Sequence, residues 1–442
     1  MYTKYKTNYR DLVMGVNTQI PLSNGKLVTA INFDNAATTP PFTTVVHAIN
    51  NFAPWYSSIH RGTGYKSQYS SELYENSREL VKSFLKADAD QTVIYVKNTS
   101  EAINKLAYRF SKRFRDNVVL STHMEHHSND LPWRSRYEVD YIAVDRDGRL
   151  SLHDLEKKLR KYNKRVALVT VTGASNVTGY KNPIHDIAEL AHHFGARILV
   201  DAAQLTGHTD LDMKPAGSKQ HIDYLAFSAH KMYAPFGTGV LIGPEDDFRK
   251  GEPEYKGGGT IDIVTHDLIR WADPPHKDEA GTPNIMGVTA LTEAIKTLQS
   301  IGMGNVEMYE NSLLQYALAC IRNVPGIKLY CDDKPENRVS IIPFNIEGLP
   351  HQITAAALSA EAGIAVRSGC FCAQPYVQKL LRLSRNEIRR RIRNPSLPHP
   401  GMVRLSFGLY NNYDEIDILV QKLHEISANK EAYMEKYNYV LK

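Results

Sequence analysis

The chain has 442 residues, 42% of them hydrophobic and 23% charged, enough apolar material for a substantial core and for two domains. Its 53 Lys and Arg face 48 Asp and Glu, a net +5 scattered along the chain that argues against a dedicated nucleic-acid binder. The opening MYTKYKTNYR has no apolar core for a signal peptide, and no run is long and apolar enough to span a bilayer.

The first thirty residues show no periodic pattern and are expected to pack on the C-terminal part of the chain or on a partner subunit. INFDNAATTPP then reads as a short strand entering a turn, broken by Pro40 and Pro41. TVIYVKNTSEAINKLAYRFSKRF reads as strand, polar turn and helix. Ile103, Leu106, Ala107, Phe110 and Phe114 recur at helical spacing, and Thr99 or Ser100 is placed to cap the start. RVALVTVTGASN is a strand ending in a loop. PIHDIAELAHHFG is a helix between a proline and Gly195. ARILVDAAQ is a strand with Asp201 near its carboxyl end, and DYLAFSAHKMY and APFGTGVLIG follow as further buried runs.

This alternation predicts an α/β fold with a mostly parallel sheet flanked by helices. Ligands of such sheets bind beyond the carboxyl ends of the strands. Thr99 and Ser100, Asn176, Asp201 and Gln204, and Ser228, His230 and Lys231 all fall at such ends. Beyond the helical stretch GVTALTEAIKTLQSIG come short strands, RVSIIPFNI and MVRLSFG, and amphipathic helices. The expected division is an N-terminal segment over 1–30, a large domain over 31–295 and a smaller α+β domain over 296–442.

Lys231 follows an apolar run and precedes another, so its amine sits close to a protein interior. Such an amine has a lowered pKa and is nucleophilic, the usual route to a Schiff base. If the carbonyl belongs to pyridoxal phosphate (PLP), the ring nitrogen needs a facing carboxylate, which Asp201 can supply. The phosphate needs hydroxyls and a helix N-terminus, which NTSEAIN offers; Ser228 and His230 add donors. Taken singly, each feature has a plain structural explanation, such as a solvated strand end or a helix cap. Their joint occurrence on one sheet edge favours the functional reading.

Asp34-Asn35-Ala36-Ala37, His60-Arg61-Gly62, Glu125-His126-His127-Ser128-Asn129, Ser175-Asn176, Val200 to Gln204, Ser228 to Lys231 and Ala280 to Pro283 follow in order. Together they resemble the successive motifs of class V aminotransferases of PLP fold type I. Arg367-Ser368-Gly369-Cys370-Phe371-Cys372 and Arg404-Leu405-Ser406 resemble those of the cysteine desulfurase branch. The resemblance covers about residues 30 to 425 and implies a homodimer with PLP bound to Lys231. It further implies that His126 stacks on the ring and shuttles protons, Asp201 pairs with the ring nitrogen, and Gln204 bonds the ring oxygen. Thr99, Ser100, Ser228 and His230 would hold the phosphate, joined by Thr282 from the partner subunit. Asn176 and Arg404 would clamp the substrate carboxylate, Arg404 through its bidentate fork, and His60 is a further pocket residue.

The same resemblance places Cys372, not Cys370, as the nucleophile that takes sulfur from L-cysteine as a persulfide and releases L-alanine. A loop near basic residues suits a thiolate. Cys370 is a small apolar filler, a sulfur relay or a disulfide partner of Cys372, and a bare C-x-C gives no zinc ligand set. The remaining cysteines are Cys320 and Cys331, too few for a disulfide framework, which fits the cytoplasm. The leading reading is a cysteine desulfurase feeding a protein sulfur acceptor in iron–sulfur cluster or thio-cofactor assembly. Selenocysteine lyase or another class V enzyme with a dispensable Cys372 is the nearest rival, and an inactive sulfur-relay scaffold the more distant one.

Three stretches depart from the family pattern: TGYKSQYSS after His60-Arg61-Gly62, Asn98 in KNTSEAIN, and KLLRLSRNEIRRRIRNPSLPHP between Cys372 and Arg404. In the last, Leu380, Leu381, Leu383, Ile388 and Ile392 are expected on one helical face, with Arg382, Arg385 and Arg389 to Arg391 exposed. This insertion is expected to shape acceptor docking or to cover the loop that carries Cys372.

Overall fold

Seven runs rich in β-branched and apolar residues form the central sheet. They are β1 (Gln91–Val96), β2 (Val118–Thr122), β3 (Glu138–Ile142), β4 (Val166–Thr172), β5 (Arg197–Asp201), β6 (Tyr224–Ser228) and β7 (Gly239–Pro244). The computed structural model describes residues 9–113, 117–332, 336–394 and 396–441; Phe114 and residues 1–8 lie outside them. The strand order is β1-β7-β6-β5-β4-β2-β3. Only β7 runs antiparallel to its neighbours, and β2 to β6 pair in parallel.

Every residue of β4 is buried, as a parallel strand covered on both faces requires. The pleat sorts side chains between two layers. Ile94, Leu168, Tyr224 and Ala226 meet Ile103, Leu106, Ala107 and Phe110 of the Thr99–Arg113 helix. Val93, Val169, Ile198, Leu225 and Phe227 face the other layer, with Ile187, Ala188 and Ala191 of the Ile184–His193 helix. Each fully buried Leu, Ile or Phe contributes roughly 1.5–3 kcal/mol, so alternation along a strand fixes which helix covers which face.

The expected boundary near 296 falls inside the Ile285–Ile301 helix, which packs on the Thr43–Phe52 and Tyr65–Leu85 helices. A second sheet contains β8 (Ile327–Leu329), β9 (Ile341–Ile346), β10 (Arg367–Gly369) and β11 (Met402–Ser406), in the antiparallel order β8-β9-β11-β10. The early chain is fastened to this half. Ile31–Asn32 pairs with Ile364–Ala365, Ser23 N–H donates to the Ala360 carbonyl, and Arg10 bonds Glu415 at 2.6 Å.

The insertion corrects one expectation. Its apolar residues do not share a helical face, because the chain forms two helices, Gln374–Leu380 and Arg385–Arg393. Arg382 takes a left-handed conformation (φ 57°) between them, and Ser384 with Glu387 builds a capping box that starts the second. Leu380 and Leu381 pack against the cluster around Phe371 and Tyr376, whereas Ile392 is 74% exposed. Arg382, Arg385, Arg389 and Arg390 are exposed as expected, and Arg391 is half-buried.

Candidate active site

β6 ends at Ser228 and passes into a single turn, Ala229–Lys231. That turn is pinned from outside the strand: the His230 carbonyl accepts from Thr39 N–H at 2.9 Å, and Tyr233 N–H donates to Thr39 Oγ1 at 2.7 Å. Lys231 therefore points into a cavity of about 460 Å³ bordered by Thr99, Ser100, His126, Asn176, Asp201, Gln204, Ser228, His230, Cys372 and Arg404. The fold brings together eleven side chains predicted from the sequence around this space, Lys231 included.

Burial sets the charge states. It lowers the Lys231 amine to about 8, against the opposing pull of Asp201. Asp201, last residue of β5 and 3% exposed, has its pKa raised by the same burial, while Ala203 N–H donates to it at 3.0 Å. His126 falls to about 3, first through burial and then through the nearby Lys231 charge, so it is neutral at physiological pH. Ser128 N–H donates to His126 Nδ1 at 3.1 Å, which leaves the ring proton on Nε2. Burial also brings His230 down to about 4.

Hydroxyls collect at the N-terminus of the Thr99–Arg113 helix. Thr99 Oγ1 and Ser228 Oγ lie 2.7 Å apart, and Ser100 Oγ and Ser128 Oγ 2.5 Å apart. Four hydroxyls beside a helix N-terminus make a setting for an oxyanion. Gln204 donates Nε2–H to the Ala36 carbonyl at 2.6 Å, and its buried Oε1 is left without a partner.

The opposite wall comes from the second half of the chain. Arg404 on β11 stands directly opposite Arg367 on β10. Both reach Asp34, Arg404 Nη2 at 3.0 Å and Arg367 Nε at 3.1 Å. Arg404 Nη1 donates to the Asn176 carbonyl at 2.9 Å, while its buried Nε has no partner. Burial pulls this guanidinium down to about 10 against the opposing Asp34. The Asn176 side chain donates to the Phe371 carbonyl at 2.6 Å, so it holds the cysteine loop. Cys372 is exposed, and Cys370 Sγ–H donates to the Pro400 carbonyl at 2.9 Å. None of the four cysteines is in a disulfide.

His60 and Thr282 stand apart from this cavity within one chain. His60 is exposed and bonded to Glu75 at 2.7 Å. Thr282 is also exposed and borders a separate cavity with Tyr74, Tyr95 and Glu279. Arg367, Ser128, Phe371 and Asp34 belong to the site or its support, although the sequence assigned them no role. Only the pairing of β10 with β11 discloses that Arg367 faces Arg404.

Residues 31–419 match the family described as Aminotransferase class-V. The chain belongs to that family. A probable cysteine desulfurase of Halalkalibacterium halodurans is 35% identical over 405 residues, covering 89% of this chain and 92% of its own length. A cysteine desulfurase of Escherichia coli strain K12 is 33% identical over 405 residues, with the same coverage of 89% and 92%. The apo cysteine desulfurase of Thermococcus onnurineus NA1 superposes with a TM-score of 0.82 at 32% identity, covering 96% of this chain and 100% of that one.

Enzymes of this family use PLP, and the residues present fit it. Asp201 is a buried carboxylate suited to a ring N–H⁺, the orphaned Gln204 Oε1 is free to accept from a ring hydroxyl, and the hydroxyl patch suits the phosphate. Among the described residues, no helix is long and apolar enough to cross a membrane.

Proposed function

We propose that this chain is a PLP-dependent cysteine desulfurase that converts L-cysteine to L-alanine and carries the sulfur on Cys372. The observation that carries the reading is the convergence of Lys231, Asp201, Arg404 and Cys372 on one cavity.

PLP, when bound, withdraws electrons from the carbon that bears the substrate amine. Lys231 would anchor it, Asp201 would pair with its ring nitrogen, and His126, with Nε2–H available, would cover the ring. Thr99, Ser100, Ser228 and His230 would hold its phosphate. Arg404, with an unspent Nε, takes the substrate carboxylate beside Asn176. Once substrate frees Lys231, its amine takes the Cα proton; a pKa of about 8 leaves part of it neutral near pH 7. Cys372 then attacks as a thiolate. The new S–S bond forms as the substrate Cβ–S bond breaks, the electron pair stays with Cβ, and protonation of Cβ together with return of the Cα proton from Lys231 yields alanine.

The persulfide passes to a protein acceptor serving iron–sulfur cluster or related thio-cofactor assembly, in a cytoplasm that keeps cysteines reduced. The insertion supports acceptor docking: its return segment reaches Cys370 through Pro400, and its Arg385–Arg393 helix carries exposed arginines. In a homodimer, Thr282 and His60 complete the partner's site; their exposure and the exposed Trp55, Tyr56 and Tyr65 support this.

Replacing Cys372 with Ala tests the reading. Cysteine-dependent formation of both alanine and acceptor-bound sulfur is expected to fall to background while the protein keeps its bound cofactor. Undiminished sulfide release would instead favour a class V enzyme in which this thiol is dispensable.

A further inference from the structure

β10 and β11 pair antiparallel, and their ladder ends where Gly369 stands opposite Met402. One step further, Cys370 departs and Gly401 returns. These two positions form the mouth of the 370–401 excursion, which carries both Cys372 and the Arg385–Arg393 helix. The mouth is tight: a Cβ on Gly401 would lie 2.6 Å from Gly369 Cα and 2.7 Å from His351 Nε2, too close for any side chain.

Three successive carbonyls of the returning segment are each held by a side chain. His351 Nε2–H donates to His399 at 3.1 Å, Cys370 Sγ–H to Pro400 at 2.9 Å, and Asn345 Nδ2–H to Gly401 at 3.0 Å. His351 opens the His351–Ala362 helix and Asn345 lies on β9, so these two fasten the return to the surrounding domain. Cys370 differs. Its bond joins the returning segment to the departing one, two residues before Cys372.

The loop just beyond has an uncommon backbone. Phe371 and Cys372 are both left-handed, with φ 53° and 52°, a region that residues other than glycine rarely occupy. Such a conformation persists only where the surroundings fix it. On one side the Phe371 carbonyl accepts from Asn176 at 2.6 Å and the Cys372 carbonyl from His127 N–H at 2.7 Å. On the other, the bond from Cys370 to Pro400 supplies the anchor.

The chemistry of Cys370 suits an anchor better than a nucleophile. A carbonyl only accepts, so the thiol in this bond keeps its proton, whereas thiols attack as thiolates. Burial, reinforced by the nearby Cys372, also pushes the Cys370 thiol up. Cys372 is exposed and Cys370 half-buried.

We propose that Cys370 is a positioning residue whose Sγ–H bond to the Pro400 carbonyl clasps the Cys372 loop to the return of the insertion and keeps Cys372 facing the cavity. This role rests on Cys372 being the sulfur carrier, and it leaves Cys370 outside the path of the sulfur.

The test compares Cys370→Ala, which deletes the donor, with Cys370→Ser, which keeps a donor but carries no sulfur. Site-resolved labelling of Cys372 by a bulky maleimide in the full-length holoenzyme reads loop position without turnover. Alanine formation from L-cysteine reads the chemistry. In Cys370→Ala, labelling is expected to rise and kcat to fall, each about two- to tenfold, the scale of one hydrogen bond. KM for cysteine should hold, because Arg404 and Asn176 are untouched. Cys370→Ser is expected to match wild type in every readout. Ser and Ala variants that behave alike would overturn the proposal: both defective in sulfur transfer with unchanged labelling marks a relay, and both like wild type a filler. Cys372→Ala is the control. Alanine formation that survives it sinks the sulfur-carrier reading, while labelling of Cys372 in the two Cys370 variants still decides whether the clasp exists.

Discussion

Lys231, Asp201 and His126 reach the cavity from strand ends and short turns whose surroundings are packed on both faces of the sheet. Cys372 reaches it from a loop on which Phe371 and Cys372 both adopt left-handed backbone, φ 53° and 52°. One wall consists of buried groups with shifted protonation, Lys231 and Asp201 among them. The other presents an exposed thiol held by a few hydrogen bonds, including Asn176 Nδ2–H to the Phe371 carbonyl and His127 N–H to the Cys372 carbonyl. Groups that fix a cofactor gain from immobility, because a preorganised site has nothing left to reorganise during the reaction. A thiol that must first meet substrate sulfur and then an outside acceptor gains from a loop that can leave.

The largest effects are therefore expected on the rigid wall. Lys231→Ala should lower alanine formation from cysteine by about 10⁴-fold, the upper range for loss of a general base, and should remove the covalently held cofactor's absorbance. Asp201→Asn should cost about 10²–10³-fold in kcat, the scale of losing one preorganised electrostatic partner. A near-native rate for Asp201→Asn would mean that this carboxylate faces something other than the ring nitrogen, and the two walls would no longer differ in kind.

Much of the rigid wall was legible because its residues follow locally readable strands. Continuous apolar runs give β5 and β6, and their carboxyl ends put Asp201 and Ser228 on one edge of the sheet without knowledge of any distant contact. Arg367 was invisible as a partner of Arg404 because 37 positions separate them and only strand pairing sets them opposite. The insertion was misread for a related reason. Its charge pattern fits one helix or two, and the decision rests on a left-handed Arg382 and the Ser384 cap. His60 and Thr282 carry motif-like neighbours, yet one chain leaves both on its surface.

A titration sharpens the comparison from the side of stability. Burial lowers Lys231 to about 8 from 10.5, so between those values the unfolded cofactor-free chain binds more protons than the folded one. The free energy of unfolding, and so stability, then rises with pH across that window. Lys231→Met, which removes the buried amine, should make the cofactor-free chain more stable than wild type at pH 7 by up to about 3 kcal/mol. The difference should fade as the pH rises from 8 to 10.5. Paired denaturant titrations at several pH values measure it, and a pH-independent gap would show that the amine is solvated in the folded state.

The smallest change tests the movable wall directly. Asn176→Ala removes the donor to the Phe371 carbonyl and leaves the Asn176 backbone carbonyl free to keep accepting from Arg404. A buried hydrogen bond of about 1 kcal/mol corresponds to a severalfold shift in loop position, not to loss of chemistry. Alanine formation should drop less than tenfold, while Cys372 should react severalfold faster with a bulky thiol reagent as the loop spends more time away from the cavity. Both movements must occur together. A fall in rate with unchanged thiol reactivity would assign Asn176 to the substrate carboxylate instead, the role its motif first suggested, and would make the cysteine loop as fixed as the strand ends it faces.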